Sequence, residues 1–252
     1  IERMTFNDSF TGSLSCLRAK VKNRTPDFSI QLLDEAPQDE TGTALIDHFF
    51  FIQLDYSGKN AVAAFLQRHL GNEFNFNQLM NGILSLCVIE KGGISIHASS
   101  ICQQGYGYVF CGDCGTGKST IAAKLCPPAE LIDDDYCMIV PDSNGYAIIS
   151  SPFSKNGGIK KDAIGKAVLL AALFFLRKST TARIRSLTAT EAFSQLVQNA
   201  YHLTRAESVA ERVLVNAGKM CGYLPSHVLF FDNDAPAEVY SKMISSEQGC
   251  RI

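Results

Sequence analysis

The chain has 252 residues, which is long enough to bury a core without disulfide or metal staples and fits one large domain or a core with a small appendage. Hydrophobic residues make up 46% and charged residues 19%, a balance typical of soluble globular proteins. The net charge of −2 at pH 7 gives no electrostatic basis for binding nucleic acid. We therefore expect a folded protein without a nucleic-acid partner.

The nine cysteines are an odd number scattered along the chain, a pattern that favours reduced cytoplasmic thiols over a secreted disulfide framework. Cys111 and Cys114 have the C-x-x-C spacing of redox and metal sites, but because no second pair accompanies them we interpret the spacing as coincidence. Residues 1–30 contain no apolar signal segment. The longest apolar run, 167–176, has ten residues, whereas a bilayer requires about 20. These features predict a cytoplasmic protein without a membrane partner.

Residues 1–90 are predicted to form a small N-terminal α+β region, with alternating and aromatic runs as strands and alanine-rich or apolar runs as helices. Gly71 is expected to end the first helix, since glycine often follows a helix C-terminus. In chain order we predict a strand at 28–32, an exposed acidic loop at 34–42, a strand at 48–54, and helices at 61–69 and 77–88.

Residues 91–252 are predicted to form the core domain, in which strands and turns give way to helices. The segment Pro141-Asp-Ser-Asn-Gly145 predicts a hairpin turn, and Thr188-Ala-Thr-Glu191 matches a capping box at a helix start. In chain order we predict strands at 94–98 and 106–111, a helix from 118, a strand at 130–132, hairpin strands at 136–140 and 146–150, helices after 188 and around 210–217, a strand at 227–231 and a helix at 237–244.

The segment Gly112-Asp-Cys-Gly-Thr-Gly-Lys-Ser119 matches the phosphate-loop (P-loop) pattern G-x-x-x-x-G-K-[ST] in full. Its glycines let backbone N–H groups converge on phosphates, and the helix that follows adds its N-terminal dipole. Lys118 can reach the β- and γ-phosphates, and the Ser119 hydroxyl suits Mg²⁺, which prefers oxygen. A chance match in a glycine-rich turn is disfavoured by the strand before the loop and the helix after it. We predict that ATP phosphates are bound by Gly112, Asp113, Cys114, Gly115, Thr116, Gly117, Lys118, Ser119 and Thr120.

The aspartates Asp133, Asp134 and Asp135 end a short apolar strand. In nucleotide-binding α/β folds a carboxylate at a strand end commonly holds Mg²⁺, and a second one can accept the proton of an attacking hydroxyl. Because side chains alternate along a strand, at most one or two of the three can face the phosphates. A solvated acidic turn is the alternative. His97 precedes the P-loop strand and either approaches the phosphates or is a core histidine; both interpretations stay open.

Residues 151–186 carry eight basic side chains and one acid, Asp162, a local balance of +7. Lysine and arginine neutralise charge on a transferring phosphoryl group, and the glycines at 157 and 158 favour a mobile segment. We therefore consider Lys155, Lys160 and Lys161 as a loop that covers a substrate, with a solvated surface as the alternative.

The run Ile96-His-Ala-Ser99, the P-loop with its strand, and Leu131-Ile-Asp-Asp-Asp135 together resemble the core of HPr kinase/phosphorylase and of its relative, ATP-dependent phosphoenolpyruvate carboxykinase. The resemblance covers about residues 93–140 and is weaker over 151–176. It implies an α/β (mixed α+β) fold, with a P-loop core built on a mixed sheet. It further implies these roles beside the phosphate-binding Lys118: Asp134 accepts the proton, Asp135 lies near the metal, and His97 lies beside the transferred phosphate.

The sequence differs from HPr kinases in two places, so the identity of the phosphate acceptor stays open. Thr120 stands where HPr kinases have Glu, and residues 151–158 replace their downstream Glu-Ile-Arg-Gly signature. The sequence thus predicts an Mg²⁺/ATP-dependent kinase of a hydroxyl, a serine on a protein or peptide or else a small molecule. A non-catalytic ATP-binding sensor and a carboxykinase-like enzyme on a small acid are the alternatives. The sequence leaves the oligomeric state open, and a homo-oligomer is one of the alternatives.

Overall fold

The protein is described by a computed structural model, which shows a mixed α/β fold built on mixed sheets, as predicted. Two compact units make up the chain: Ile1–Leu84 with His202–Ala210, and Ser85–Tyr201 with Glu211–Ile252. The predicted domains, 1–90 and 91–252, remain a prediction. The structure describes residues 4–6, 28–33, 43–46, 50–55, 60–65, 73–151, 153, 167–201 and 207–247.

The first unit contains a five-stranded sheet in the order β1-β2-β5-β4-β3. Strand β2 is parallel to both β1 and β5, whereas β4 is antiparallel to both β3 and β5. The strands predicted at 28–32 and 48–54 are confirmed as β2 and β4, and the predicted loop 34–42 lies outside the described residues. The bounds are β1 Met4–Phe6, β2 Phe28–Leu33, β3 Thr43–Ile46, β4 Phe50–Asp55 and β5 Asn60–Phe65.

The helix predicted at 61–69 is wrong over its first half, because Asn60–Phe65 forms strand β5 in the middle of the sheet. Alanine favours a helix by only a few tenths of a kcal/mol over most residues, about 0–0.7 kcal/mol on peptide scales. Here β5 pairs with β2 on one side and β4 on the other. The hydrogen bonds of both pairings, of which those to β2 are long-range, outweigh a weak local preference. The helix predicted at 77–88 is confirmed as α1, Glu73–Glu90.

The second unit contains a nine-stranded sheet in which the main path runs β6-β10-β11-β12-β8-β7-β9, with β14 joining β12 to β13. The predicted hairpin is confirmed as the antiparallel pair β10–β11. The bounds are β6 Ile94–Ile96, β7 Ala98–Gln103, β8 Tyr106–Cys111, β9 Glu130–Asp134, β10 Cys137–Asp142, β11 Gly145–Ser150, β12 Ala167–Lys178, β13 Arg183–Ser186 and β14 Ser226–Phe231.

The longest apolar run of the sequence forms the central strand β12, which is parallel to β8 on one side and to β14 on the other. A strand covered on both faces is apolar along its length rather than alternating. Phe174 of β12 packs against Tyr108 and Phe110 of β8, with ring centroids 6.3 and 5.9 Å apart. Within the described residues, no helix is long and apolar enough to cross a membrane.

The helices predicted in the second half of the chain are confirmed. The capping box is present: Thr188 accepts a hydrogen bond from the Glu191 N–H, and the Glu191 side chain accepts one from the Thr188 N–H. Such boxes stabilise a helix start by about 0.5–2 kcal/mol. The bounds are α2 Lys118–Leu125, α3 Ala189–Asn199, α4 Glu207–Tyr223 and α5 Ala237–Ser246.

Two bends lie side by side in this sheet. The strand predicted at 94–98 is interrupted at His97, so that β6 pairs with β10 whereas β7 pairs with β8 and β9. The chain from β9 to β10 makes the same change of neighbours at Asp135, whose N–H donates to the Ala98 carbonyl over 3.1 Å. Because Ala98 is opposite Cys111 at the end of β8, both bends lie beside the start of the glycine-rich loop.

Candidate functional site

The glycine-rich loop, Gly112–Ser119, connects β8 to α2, which begins at Lys118. Gly117 has a φ of 104°, and a Cβ built on it would lie 2.7 Å from the Phe231 ring. Gly115 also has a positive φ, 78°. Only glycine adopts such backbone conformations without strain, so the sequence pattern is matched by a real backbone requirement.

Lys118 is a buried cation inside this loop, with a relative exposure of 7%. Its Nζ donates to the Gly112 carbonyl over 2.7 Å and to the Asp113 carbonyl over 3.1 Å. The Thr116 hydroxyl donates to the same Asp113 carbonyl over 2.8 Å. The positive charge is therefore held between the loop and the start of α2, and the unpaired N–H groups of a first helical turn are also able to bind an anion.

The three aspartates have two kinds of surroundings. Asp133 is buried at 1% exposure, and its two carboxylate oxygens accept from the Tyr136 N–H over 3.3 Å and the Ser151 N–H over 3.1 Å. Asp134 and Asp135 line the cavity described below, and Asp134 Oδ1 accepts a hydrogen bond from the Ser99 hydroxyl. Asp133 thus serves the fold, and the alternation expected along a strand separates it from Asp134.

His97 and Asp135, the residues at the two neighbouring bends of the sheet, contact each other. Its Nδ1 lies 3.0 Å from the Asp135 carbonyl oxygen and 3.0 Å from Asp135 Oδ1. Because a carbonyl oxygen only accepts, Nδ1 is the protonated nitrogen, and in the neutral ring Nε2 is then an acceptor. The side chain is 49% exposed, so His97 is not a buried core histidine.

One cavity of about 240 Å³ brings these groups together. Its wall contains the Lys118 ammonium together with hydroxyl and carboxylate groups. Oxygen atoms of hydroxyls and carboxylates are the ligands that Mg²⁺ prefers. The residues of the phosphate pattern outside the wall are Gly112, Asp113 and Thr116, which shape the loop behind it; Lys155, Lys160 and Lys161 lie outside the described residues. The lining residues are His97, Ser99, Cys114, Gly115, Gly117, Lys118, Ser119, Thr120, Asp134 and Asp135.

Asn199 is a residue of this region that sequence reasoning missed. Its Oδ1 accepts from the Gly112 N–H over 2.9 Å, and its backbone carbonyl accepts from the His97 N–H over 3.0 Å. The last residue of α3 therefore fixes both the first glycine of the loop and the histidine strand. No local pattern could have shown this, because its partner Gly112 is 87 residues away in the sequence.

The two cysteines of the C-x-x-C spacing have different environments. Cys111 is buried at the end of β8, and burial raises the pKa of its thiol to about 12. Cys114 is exposed in the loop and lines the cavity. The buried thiol stays protonated near neutral pH, where it packs as a small apolar side chain.

The fold and the cavity define a mixed α/β protein in which a glycine-rich loop and a carboxylate-bearing strand end meet at one edge of a mixed sheet. The chain belongs to the family described as "SynChlorMet cassette protein ScmC", whose sequence model matches residues 73–232 and hence more than half of the chain. A search of curated proteins gives no significant match.

Among solved structures, the chain is similar to the Hpr(Ser) kinase/phosphatase from Coxiella burnetii, with 12% identity and a TM-score of 0.38. The match covers 61% of this chain and 95% of that chain. A similarity at this level supports no conclusion about the activity of this chain, so the resemblance to HPr kinases stays a prediction from the motifs.

Proposed function

We propose that this protein is an Mg²⁺/ATP-dependent phosphotransferase that phosphorylates a hydroxyl group, a serine on a protein or peptide. The observation that carries the proposal is the meeting, in one cavity, of the Lys118 loop with the Ser119 hydroxyl and the Asp134 and Asp135 carboxylates. Triphosphates need converging donors and a cation, whereas transfer to a hydroxyl needs a proton acceptor beside them. Both sets of groups line the same cavity.

The loop and α2 bind the phosphates in this proposal. Backbone N–H groups at the start of α2 and the Lys118 ammonium meet the negative oxygens of the β- and γ-phosphates. Lys118 exchanges its hydrogen bonds to the loop carbonyls for bonds to phosphate, and its charge then compensates the charge of the transferring group.

Asp134 and Asp135 have different roles in the proposed reaction. Asp134 accepts the proton of the attacking hydroxyl, which makes the oxygen a better nucleophile at phosphorus. Ser119 and Asp135 would hold Mg²⁺, which would neutralise charge on the phosphates. The oxygen donors fit that ion. His97 is oriented by Asp135 with Nε2 available to a γ-phosphate oxygen, and in its protonated form it donates a hydrogen bond there.

The proposal is tested with Asp134→Asn, which keeps the size and polarity of the side chain but removes the proton acceptor. ATP binding measured by calorimetry should stay nearly intact, while transfer from γ-labelled ATP to a serine-containing peptide library should fall about 10²–10⁴-fold. If Asp134 ligates Mg²⁺ instead, excess Mg²⁺ should partly restore the rate.

Asp142→Asn is the matched control, because Asp142 is exposed in the β10–β11 turn, where its carboxylate accepts from the Asn144 N–H. It should transfer phosphate at the wild-type rate. Wild-type transfer by Asp134→Asn would reject the role of Asp134. ATP binding without transfer to any peptide or small-molecule hydroxyl would instead favour the non-catalytic sensor.

A further inference from the structure

Ser99 is a hydroxyl inside the cavity that the proposed reaction does not use. It lies on β7 with 1% exposure, and its side chain contributes to the cavity wall. The hydroxyl donates a hydrogen bond to Oδ1 of Asp134. An acceptor hydroxyl must make this same contact with a proton-accepting carboxylate before it attacks phosphorus.

The neighbouring serine shows that this placement is specific to position 99. Ser100 points to the opposite side of β7, where its hydroxyl donates to the Asp133 carbonyl over 3.4 Å and accepts from the Cys137 thiol over 3.2 Å. Ser99 is opposite Asp134 on β9 and opposite Phe110 on β8, two residues before the glycine-rich loop. Only the first of the two serines therefore faces the loop.

We propose that Ser99 is an internal phosphate acceptor, so that the protein phosphorylates itself at this hydroxyl. The inference rests on the proposed function. In the step, Ser99 Oγ forms a bond to the γ-phosphorus of ATP, the bond between that phosphorus and the β,γ-bridging oxygen breaks, ADP leaves, and Asp134 receives the hydroxyl proton. The products are ADP and a phosphoserine, and no oxidant or further reactant is needed.

Burial decides how this reaction proceeds. Because Ser99 is 1% exposed and its side chain is reached from the cavity, the γ-phosphate must come from a nucleotide bound in the same molecule. The phosphoserine adds a charge of about −1.5 to −2 next to the Asp134 carboxylate. This charge repels a second triphosphate, so self-phosphorylation at Ser99 should lower the affinity of the protein for ATP.

The test uses the full chain with γ-labelled ATP and Mg²⁺, followed by peptide mapping in a mass spectrometer. Wild-type protein should gain one phosphate at Ser99, with a rate constant unchanged over a tenfold range of protein concentration. Ser99→Ala should bind ATP by calorimetry yet take up no label, whereas Ser99→Thr should carry the label as phosphothreonine. Ser100→Ala is the matched control and should label like the wild type.

Each other outcome has a defined meaning. Label on His97, which is acid-labile, or on any residue other than Ser99 overturns the inference, as does a rate that rises with protein concentration. ATP binding and transfer to a peptide without label on Ser99 overturn it while leaving the proposed function intact. If the wild-type protein does not bind ATP, the proposed function and this inference both fail.

Discussion

Two lysines of α2 allow the proposed phosphate-binding role of Lys118 to be tested against a purely structural role. Lys118 and Lys124 each donate from Nζ to two backbone carbonyls, but only Lys118 lines the cavity. A charge-assisted hydrogen bond is worth about 1.5–3 kcal/mol. Lys118→Ala should therefore weaken ATP binding at least tenfold in calorimetry, with the far-UV circular dichroism spectrum unchanged.

Lys124→Ala is the control for that measurement, because its partners, the Asn233 and Ala235 carbonyls, lie in the segment before α5. It should lower the unfolding midpoint slightly and bind ATP like the wild type. Equal ATP affinities for Lys118→Ala and the wild type would remove the phosphate-binding role of the loop.

The sequence predicted those site residues that belong to a recognisable local motif. Four fixed positions within eight consecutive residues specify the glycine-rich loop, and alternation along a strand predicts that Asp133 and Asp134 diverge, as the structure shows. Ser99 and Asn199 have no such pattern. Their partners are 35 and 87 residues away, so only the folded sheet shows what they contact.

At the scale of elements, the C-terminal end of α3 supports the glycine-rich loop. Asn199→Ala removes the acceptor of the part-buried Gly112 N–H, and an unpaired donor costs about 1–3 kcal/mol when it is fully buried and less when water reaches it. The loop should then relax away from the observed geometry, on which the proposed phosphate binding depends. We expect about a tenfold loss of ATP affinity, measured by calorimetry, in addition to a lower unfolding midpoint.

Asn216→Ala is the control that separates the loss of ATP affinity from the loss of stability. Asn216 is a buried asparagine on α4 whose Nδ2 bridges the Ile89 and Gly93 carbonyls, outside the cavity wall. It should lose stability to a similar degree and keep its ATP affinity. If both variants lose affinity equally, the effect of Asn199 is general destabilisation rather than support of the loop.

At the scale of the whole molecule, His227 should make stability depend on pH. It is buried on β14, stacked on Phe174, and 3.4 Å from a Glu247 carboxylate oxygen. Burial lowers its pKa below the ordinary 6.5, and Glu247 opposes this only in part. His227 therefore binds a proton more readily in the unfolded chain than in the folded protein. Above pH 6.5 the residue is neutral in both states and costs no stability. As the pH falls from 6.5 toward the lower pKa of the folded state, the free energy of unfolding decreases.

Urea unfolding at about pH 7.5 and about pH 5.5 measures this effect. The free energy of unfolding should decrease at the lower pH, and His227→Gln, which cannot titrate, should lose part of that decrease. Glu247→Gln removes the charge that favours protonated His227 and should make the decrease steeper. A decrease that is the same in the wild type and His227→Gln would contradict the assignment.

Local sequence patterns were enough to predict the glycine-rich loop, the capping box at Thr188, the hairpin turn and the helices of the second unit. The other features depend on contacts between distant parts of the chain. The tertiary structure made a strand of Asn60–Phe65 against its alanine content and divided the strand at His97. It also brought Ser99 and Asp135 to one cavity and placed Asn199 against the first glycine of the loop. These outcomes depend on strand pairing between distant segments, whose summed hydrogen bonds and burial exceed the propensity of any single residue.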